Sequence, residues 1–368
     1  MKQSVPCFFL IIVGLRSKMN FNEKHYLVPK LNTMKLCELC KKNEADKTGS
    51  HIIPHFLLKR VDNLDGSDKR DLEFGFRIGN GNVKGYFGRS IQPEKLEETY
   101  GEVTDELIAG SRSEMIVDFL LCSDCEKKLA EIEHSYSPSI EKFEKTTFKS
   151  NDDPQLSTLF WASVFWRASV SGTLAIKLSD EHEELLRIFL NNGLKTEESE
   201  ADFTGIKYRL LKIEGYQEDR DGFVNFGHNQ TNPYYAAIGD QVIKMTFDQD
   251  AEKQKVAFFG FEDAMNDAPL NNVENGEQSM PVNHEMLEHA IAEFTMMLAE
   301  DFMEVLDNDL DELHVFLGGN GKMDDELKSA IKKNIEQDEI PLGHRYSPEG
   351  KTIAIIKAMQ DLGVIPKE

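Results

Sequence analysis

Four of the chain's five cysteines fall in two Cys-x-x-Cys pairs, Cys37/Cys40 and Cys122/Cys125, and no other feature constrains the fold as strongly. Each pair puts two thiols on one tight turn, and two such turns supply the four sulfurs that a tetrahedral Zn2+ takes at roughly 2.3 Å. An ion held this way locks two remote chain segments together. Paired redox dithiols are the competing explanation, but a redox Cys-x-x-Cys opens a helix after a strand in a βαβ unit, and no such pattern surrounds either pair. The cysteines, with Cys7 standing apart, are also too few and too oddly placed for an extracellular disulfide framework. The expectation is a structural Zn2+ on Cys37, Cys40, Cys122 and Cys125, in a protein of a reducing, cytoplasmic compartment. Four sulfurs close the coordination sphere, so the ion would hold structure and leave the chemistry to other residues.

With 368 residues the chain exceeds one ordinary core, and its charge is divided unevenly along its length. Of 42 Lys+Arg and 65 Asp+Glu, 17 and 39 lie in residues 181 to 368, a net of -22 out of -23. Between Val256 and Gly321 there are 15 Asp+Glu and no Lys or Arg, a surface that repels phosphates. Nucleic acid, if bound, is therefore expected on the N-terminal half, and a protein partner or a second copy on the acidic C-terminal half. The apolar run Val5 to Leu15 is shorter than the roughly 20 residues that span a bilayer, and no A-x-A cleavage site follows it. No membrane association is expected, and residues 1–33 are read as a leader, upstream of a true start at Met19 or Met34. The polar cluster Ser150 to Pro154 divides the remainder into a cysteine-bearing domain, 34–149, and an acidic domain, 150–368.

Local patterns fill in both domains. Phe74 to Pro93 is glycine-rich and free of acid, and carries Arg77, Lys84 and Arg89 among Phe74, Phe76, Tyr86 and Phe87, which predicts a β-hairpin with the means to grip a phosphate backbone and stack on bases. Gln155 to Gly172 is apolar on nearly every side, as in a helix buried between layers, and Trp161 and Trp166 belong to its core. Ser179 and Asp180 offer a cap for a helix through Leu190. Short apolar runs from Ile206 to Phe261 predict a small antiparallel sheet. Asn283 can cap a long amphipathic helix whose methionines suit a packing or dimer surface, and two shorter helices follow near Asp325 to Ile335 and Pro348 to Leu362.

The segment that carries chemistry runs Cys37-Glu38-Leu39-Cys40, Ser50-His51-Ile52-Ile53-Pro54, Cys122-Ser123-Asp124-Cys125-Glu126. In order and local spacing it resembles the HNH endonucleases, the His-Me finger or ββα-metal group, in their zinc-ribbon form. There, one Cys-x-x-Cys precedes a strand with an Asp-His-Ile-x-Pro motif, and the second opens the helix that completes the active site. The resemblance covers residues 37 to 134. It implies a zinc-ribbon ββα-metal (HNH-like) N-terminal domain, which with the acidic domain of mixed helices and antiparallel sheet read from the local patterns makes an α+β chain. It also implies a phosphodiester hydrolase acting on nucleic acid, DNA in the first instance, with defence against foreign DNA as a setting.

Residue by residue, His51 falls on the family's general base, an imidazole able to take a proton near neutral pH. Glu126 falls on the metal-binding histidine, and a carboxylate is a hard ligand suited to Mg2+ or Mn2+. Ser50 stands where the family has a metal-binding Asp. Val117 stands where it has an Asn, with Asp118 as the nearest polar substitute, and the insert between the cysteine pairs is long. These departures fit either a rewired site, with Glu133 or His134 as a replacement ligand, or a catalytically silent zinc-binding interaction protein. In isolation Glu133 and His134 read as solvated helix residues, and His55 as a surface or turn residue.

Overall fold

The computed structural model describes residues 10–11, 35–62, 74–79, 82–87, 96–97, 101, 104, 113, 115–140, 153–174, 176–193, 203–214, 223–227, 231–336 and 347–366. It is a mixture of helix and sheet. In chain order the elements are β1 (Leu10–Ile11), β2 (Ser50–His51), α1 (His55–Asp62), β3 (Phe74–Gly79), β4 (Asn82–Phe87), β5 (Ile116–Val117), α2 (Ser123–Tyr136), α3 (Pro154–Ser171) and α4 (Asp180–Gly193). Then follow β6 (Lys207–Ile213), β7 (Phe223–Phe226), β8 (Tyr234–Ile238), β9 (Gln241–Thr246), α5 (Gln249–Lys253), α6 (Glu262–Asp267), β10 (Met280–Val282), α7 (His284–Phe316), α8 (Asp325–Ile335) and α9 (Pro348–Asp361). The elements belong to two compact units. The described residues of the first lie within Val13–Val61 and Ser113–Ile291, and those of the second within Phe8–Ile12, Asp62–Arg112 and Ala292–Glu368.

The first unit is organised around α3. Asp153 caps it by accepting from the Leu156 amide at 3.0 Å, Pro154 starts it, and Gly172 ends it in the left-handed region at φ 65°. Every residue from Ser157 to Ser169 is buried, as the all-round apolar pattern predicts, and α2 and α4 pack beside it. Trp161, Trp166, Phe160 and Phe165 are fully enclosed, each worth about 1.5–3 kcal/mol of burial.

The unit's strands run in the order β10-β6-β9-β8-β7. β6, β9, β8 and β7 are antiparallel, and β10 adds to β6 in parallel, a strand the sequence reading did not include. A two-residue turn at Gly239 and Asp240 joins β8 to β9, with Gly239 at φ 58°. Every residue of β8 and β9 is buried, so the sheet is covered on both faces. Phe165 of α3 meets Phe226 of β7 edge to face at 5.9 Å. A second cluster forms where Leu211, Tyr235, Val242, Phe261, Met265 and Leu287 meet.

In the second unit β3 and β4 form the expected hairpin, in register from Phe74↔Phe87 to Gly79↔Asn82. β1, inside the segment read as a leader, pairs in parallel with β3 through Leu10↔Phe76. The long helix α7 starts where expected, with Asn283 accepting from the Met286 amide at 3.2 Å. Its later part contributes Phe302, Leu306 and Leu310 to a cluster with Ile331 and Ile335 of α8 and Ala354 and Ala358 of α9. Lys328 and Lys332 of α8 pair with Asp311 and Asp307 of α7 at 2.6 and 2.8 Å. Among the described residues no helix is long and apolar enough to cross a membrane.

Candidate metal centre

The first Cys-x-x-Cys is a reversal in which the Lys41 amide donates to the Cys37 carbonyl at 2.9 Å and the Cys37 amide to the Asn43 carbonyl at 2.8 Å. Closing it puts Lys41, a non-glycine residue, at φ 53°. The second pair sits at a helix start. Cys122 is the N-cap of α2 and Cys125 lies in its first turn. Asp46 accepts from the Ser123 amide at 2.7 Å, supplying the cap that the Cys122 side chain does not. Two backbone bonds sew the turns together, Glu38 amide to Leu120 carbonyl at 3.0 Å and Lys47 amide to Leu121 carbonyl at 3.1 Å.

The result is convergence of all four thiols, with sulfurs lying within 4.8 Å of one another. Cys40 Sγ and Cys122 Sγ are 3.9 Å apart. A tetrahedron with metal–sulfur bonds of roughly 2.3 Å has edges of roughly 3.8 Å, so the four cysteines can hold a zinc ion with little movement. The thiols differ in how readily they ionise. Donation from the Cys125 thiol, together with backbone hydrogen bonds from Cys40, Cys122 and Leu39, brings Cys37 down to about 4. Cys125, the donor in that pair, is pushed up for the same reason, and burial pushes up Cys122. Asn43 Nδ2 donates to Cys122 Sγ at 3.7 Å. Arg187 of α4 donates to the Leu39 carbonyl at 2.9 Å while Glu184 grips its guanidinium at 2.6 and 2.7 Å, and its cation feels the charge of Cys40.

Beside this cluster, β2 and β5 pair antiparallel through Ser50↔Val117 and His51↔Ile116. Ser50 is buried, and its hydroxyl donates to Glu126 Oε2 at 2.9 Å. The two positions at which the HNH resemblance expects metal ligands are therefore in direct contact. Asp118 accepts from the Gly49 amide at 2.8 Å, bracing the strand two residues before His51. His51 is half-buried, while Ile52 and Ile53 pack fully inward. The His51 ring lies 5.1 Å from that of His55, which opens α1 and is half-buried.

Other candidates separate. Glu133 is half-buried and pairs with Arg167 at 2.7 Å, so it is not the freely solvated residue its place on the helix suggested. His134 is exposed. Arg77 and Lys84 are register partners across β3 and β4 of the second unit, and Arg89 lies outside the described residues. Among the described residues no second group of three or more His, Cys, Asp or Glu ligand atoms converges.

Sequence reasoning missed Arg167 and Arg187. Both come from helices assigned to the other domain, and each ends on a backbone carbonyl of the metal centre or its neighbouring strand, those of His51 and Leu39. A lone arginine in an apolar helix announces burial of a charge, which requires partners, but the sequence does not say which. No family model, curated protein or solved structure matches this chain.

Proposed function

We propose that the first unit is the core of a cytoplasmic, metal-dependent, HNH-like endonuclease that hydrolyses phosphodiester bonds of nucleic acid, DNA in the first instance, in a setting such as defence. The observation that carries this reading is the Ser50–Glu126 hydrogen bond beside four convergent thiols. It joins the residue preceding the candidate base to the helix residue following the last cysteine. β2 and β5, paired antiparallel although α1, β3 and β4 intervene in the chain, and α2 directly after β5 are the elements this reading takes for a ββα unit.

On this reading each residue has a task. The zinc cysteines tie the first turn to the start of α2. Glu126 offers a carboxylate to Mg2+ or Mn2+, ions commonly held by one or two carboxylates with substrate phosphate and water completing the shell, so a crowded protein cage is not required. Such an ion, when bound, supplies positive charge to the scissile phosphate and the leaving oxygen. His51 takes the proton of the attacking water. Arg77 and Lys84 of the β3–β4 hairpin, with Arg89 beyond it in sequence, offer phosphate contacts, and the acidic C-terminal half offers a surface for a protein partner or a second copy.

A second reading, a catalytically silent zinc-binding interaction protein, draws on Ser50 and Val117 at the family's Asp and Asn positions. The two diverge in a supercoiled-plasmid nicking assay with Mn2+ or Mg2+. The nuclease reading expects nicking that EDTA stops and that His51→Ala abolishes with zinc content and folding retained. Absence of divalent-dependent cleavage by the native chain, across DNA and RNA substrates, would leave only the binding reading.

A further inference from the structure

Arg167 is the one charged residue within the fully buried stretch of α3, and its side chain is 4 % exposed. Taking a guanidinium out of water is costly, and a buried ion pair is weak ground for stability when an apolar residue of similar volume would fill the space. Its position makes sense through what it joins. Nη1 donates to the His51 carbonyl at 3.0 Å and pairs with Glu133 Oε1 at 2.7 Å. Nε donates to the Ser163 carbonyl at 3.2 Å, and Nη2 to the Ser163 hydroxyl at 3.3 Å, which fixes the fork on its own helix.

Three elements thus meet on one side chain. Glu133 lies on α2, seven residues and about two turns after Glu126, so holding Glu133 holds the helix that carries Glu126. His51 ends a strand of only two residues, which the Ile52 amide extends by donating to the Met115 carbonyl at 2.8 Å, and its own carbonyl is the group that Arg167 holds. The Ser50–Glu126 hydrogen bond is one link between strand and helix, and Arg167 is the second, approaching from α3. We infer that Arg167 is a positioning residue, setting His51 against Glu126 by clamping the His51 carbonyl and the α2 carboxylate Glu133 together. This inference rests on the nuclease reading and adds to it a residue from outside the cysteine-bearing segment.

Full-length Arg167→Lys and Arg167→Met are compared with the native chain in Mn2+-dependent plasmid nicking, with zinc content and tryptophan fluorescence measured on the same samples. Lysine retains the charge and can pair with Glu133, but a single ammonium does not reproduce the fork. For Arg167→Lys a fall in kcat of roughly 10- to 100-fold is expected, as for misplacement of a reacting group by about an ångström. KM for DNA and zinc content should stay at native values, a split that a purely structural role would not produce, and kcat is compared below the unfolding transition because the midpoint itself falls as buried acceptors lose their donor. Arg167→Met should fall at least as far, and if it does not fold, Arg167→Lys decides. Native kcat in folded Arg167→Lys, or a loss matching the fraction of unfolded or zinc-free protein, overturns the inference while leaving the nuclease reading intact. If the native chain itself shows no divalent-dependent cleavage, the nuclease reading fails and the inference falls with it.

Discussion

Replacing Glu133 with alanine should destabilise the first unit by about 2–3 kcal/mol. The carboxylate stands 2.7 Å from Arg167 Nη1, where two unit charges attract by about 6 kcal/mol at an effective dielectric constant of about 20. Part of that is returned, because Glu133 keeps 22 % exposure and loses some hydration in pairing. Arg167 itself stays buried, with neutral acceptors alone, and removing one member of a buried pair typically costs about 3–5 kcal/mol. The lower figure fits a partner that water still reaches. The assay is intrinsic fluorescence: both tryptophans, Trp161 and Trp166, are on α3, so urea unfolding followed this way reports the first unit alone. With a slope of about 2–3 kcal/mol/M, the midpoint should drop by about 1 M. Raising the salt should barely alter the difference, since a buried pair is poorly screened. The control is Glu184→Ala, which breaks the pair to Arg187 from a carboxylate that is 53 % exposed and should shift stability by no more than about 0.5 kcal/mol. Equal, small shifts for both variants would refute the claim that the Arg167 pair is a buried clamp.

Other outcomes follow from the same contacts. Arg187→Gln weakens the link between α4 and the Leu39 carbonyl, and zinc affinity, measured by competition with a chromogenic chelator, should fall roughly 10- to 100-fold. Tyr136→Phe removes a donor that, with Trp161 and Tyr208, holds the buried Glu277 carboxylate, at a cost of about 1.5–3 kcal/mol in the fluorescence assay. Burial holds the His182 imidazole below its ordinary range, against the pull of Glu181 and Asp248. The unfolded chain therefore binds that proton more readily, and stability from this group is full above about pH 6.5 and is lost as pH falls towards the lower folded value. His182→Phe should accordingly lose less stability than the native chain between pH 7 and pH 5.

What the sequence disclosed was mainly what is local. The spacing of Cys37, Cys40, Cys122 and Cys125 announces two turns that can share one ion, and the thiols do converge. Helices are found where the capping side chains that were read start them: Ser179 accepting from the His182 amide before α4, and Asn283 before α7. The hairpin of β3 and β4 follows from its glycines and aromatics. Long-range placement was not disclosed. The expected boundary near Ser150 to Pro154 falls where Asp153 caps α3 within the first unit, because a polar cluster marks a helix start as readily as a linker. Arg167 reaches His51 across 116 positions and Arg187 reaches Leu39 across 148, and helical periodicity says nothing about partners that distant. Glu133 read as a solvated helix residue because the guanidinium that neutralises it comes from another element. β10 escaped notice because three residues paired in parallel leave no alternation to detect.

The central claim is that one zinc ion on four thiolates fastens the first turn to the start of α2 and so brings the strand of His51 against Glu126. X-ray absorption at the zinc edge of the purified full-length chain tests it most directly. The account predicts one zinc per chain with a single shell of four sulfurs at about 2.3 Å and no nitrogen or oxygen ligand. A mixed shell, or a chain that is fully folded without zinc and does not take it up, would contradict it.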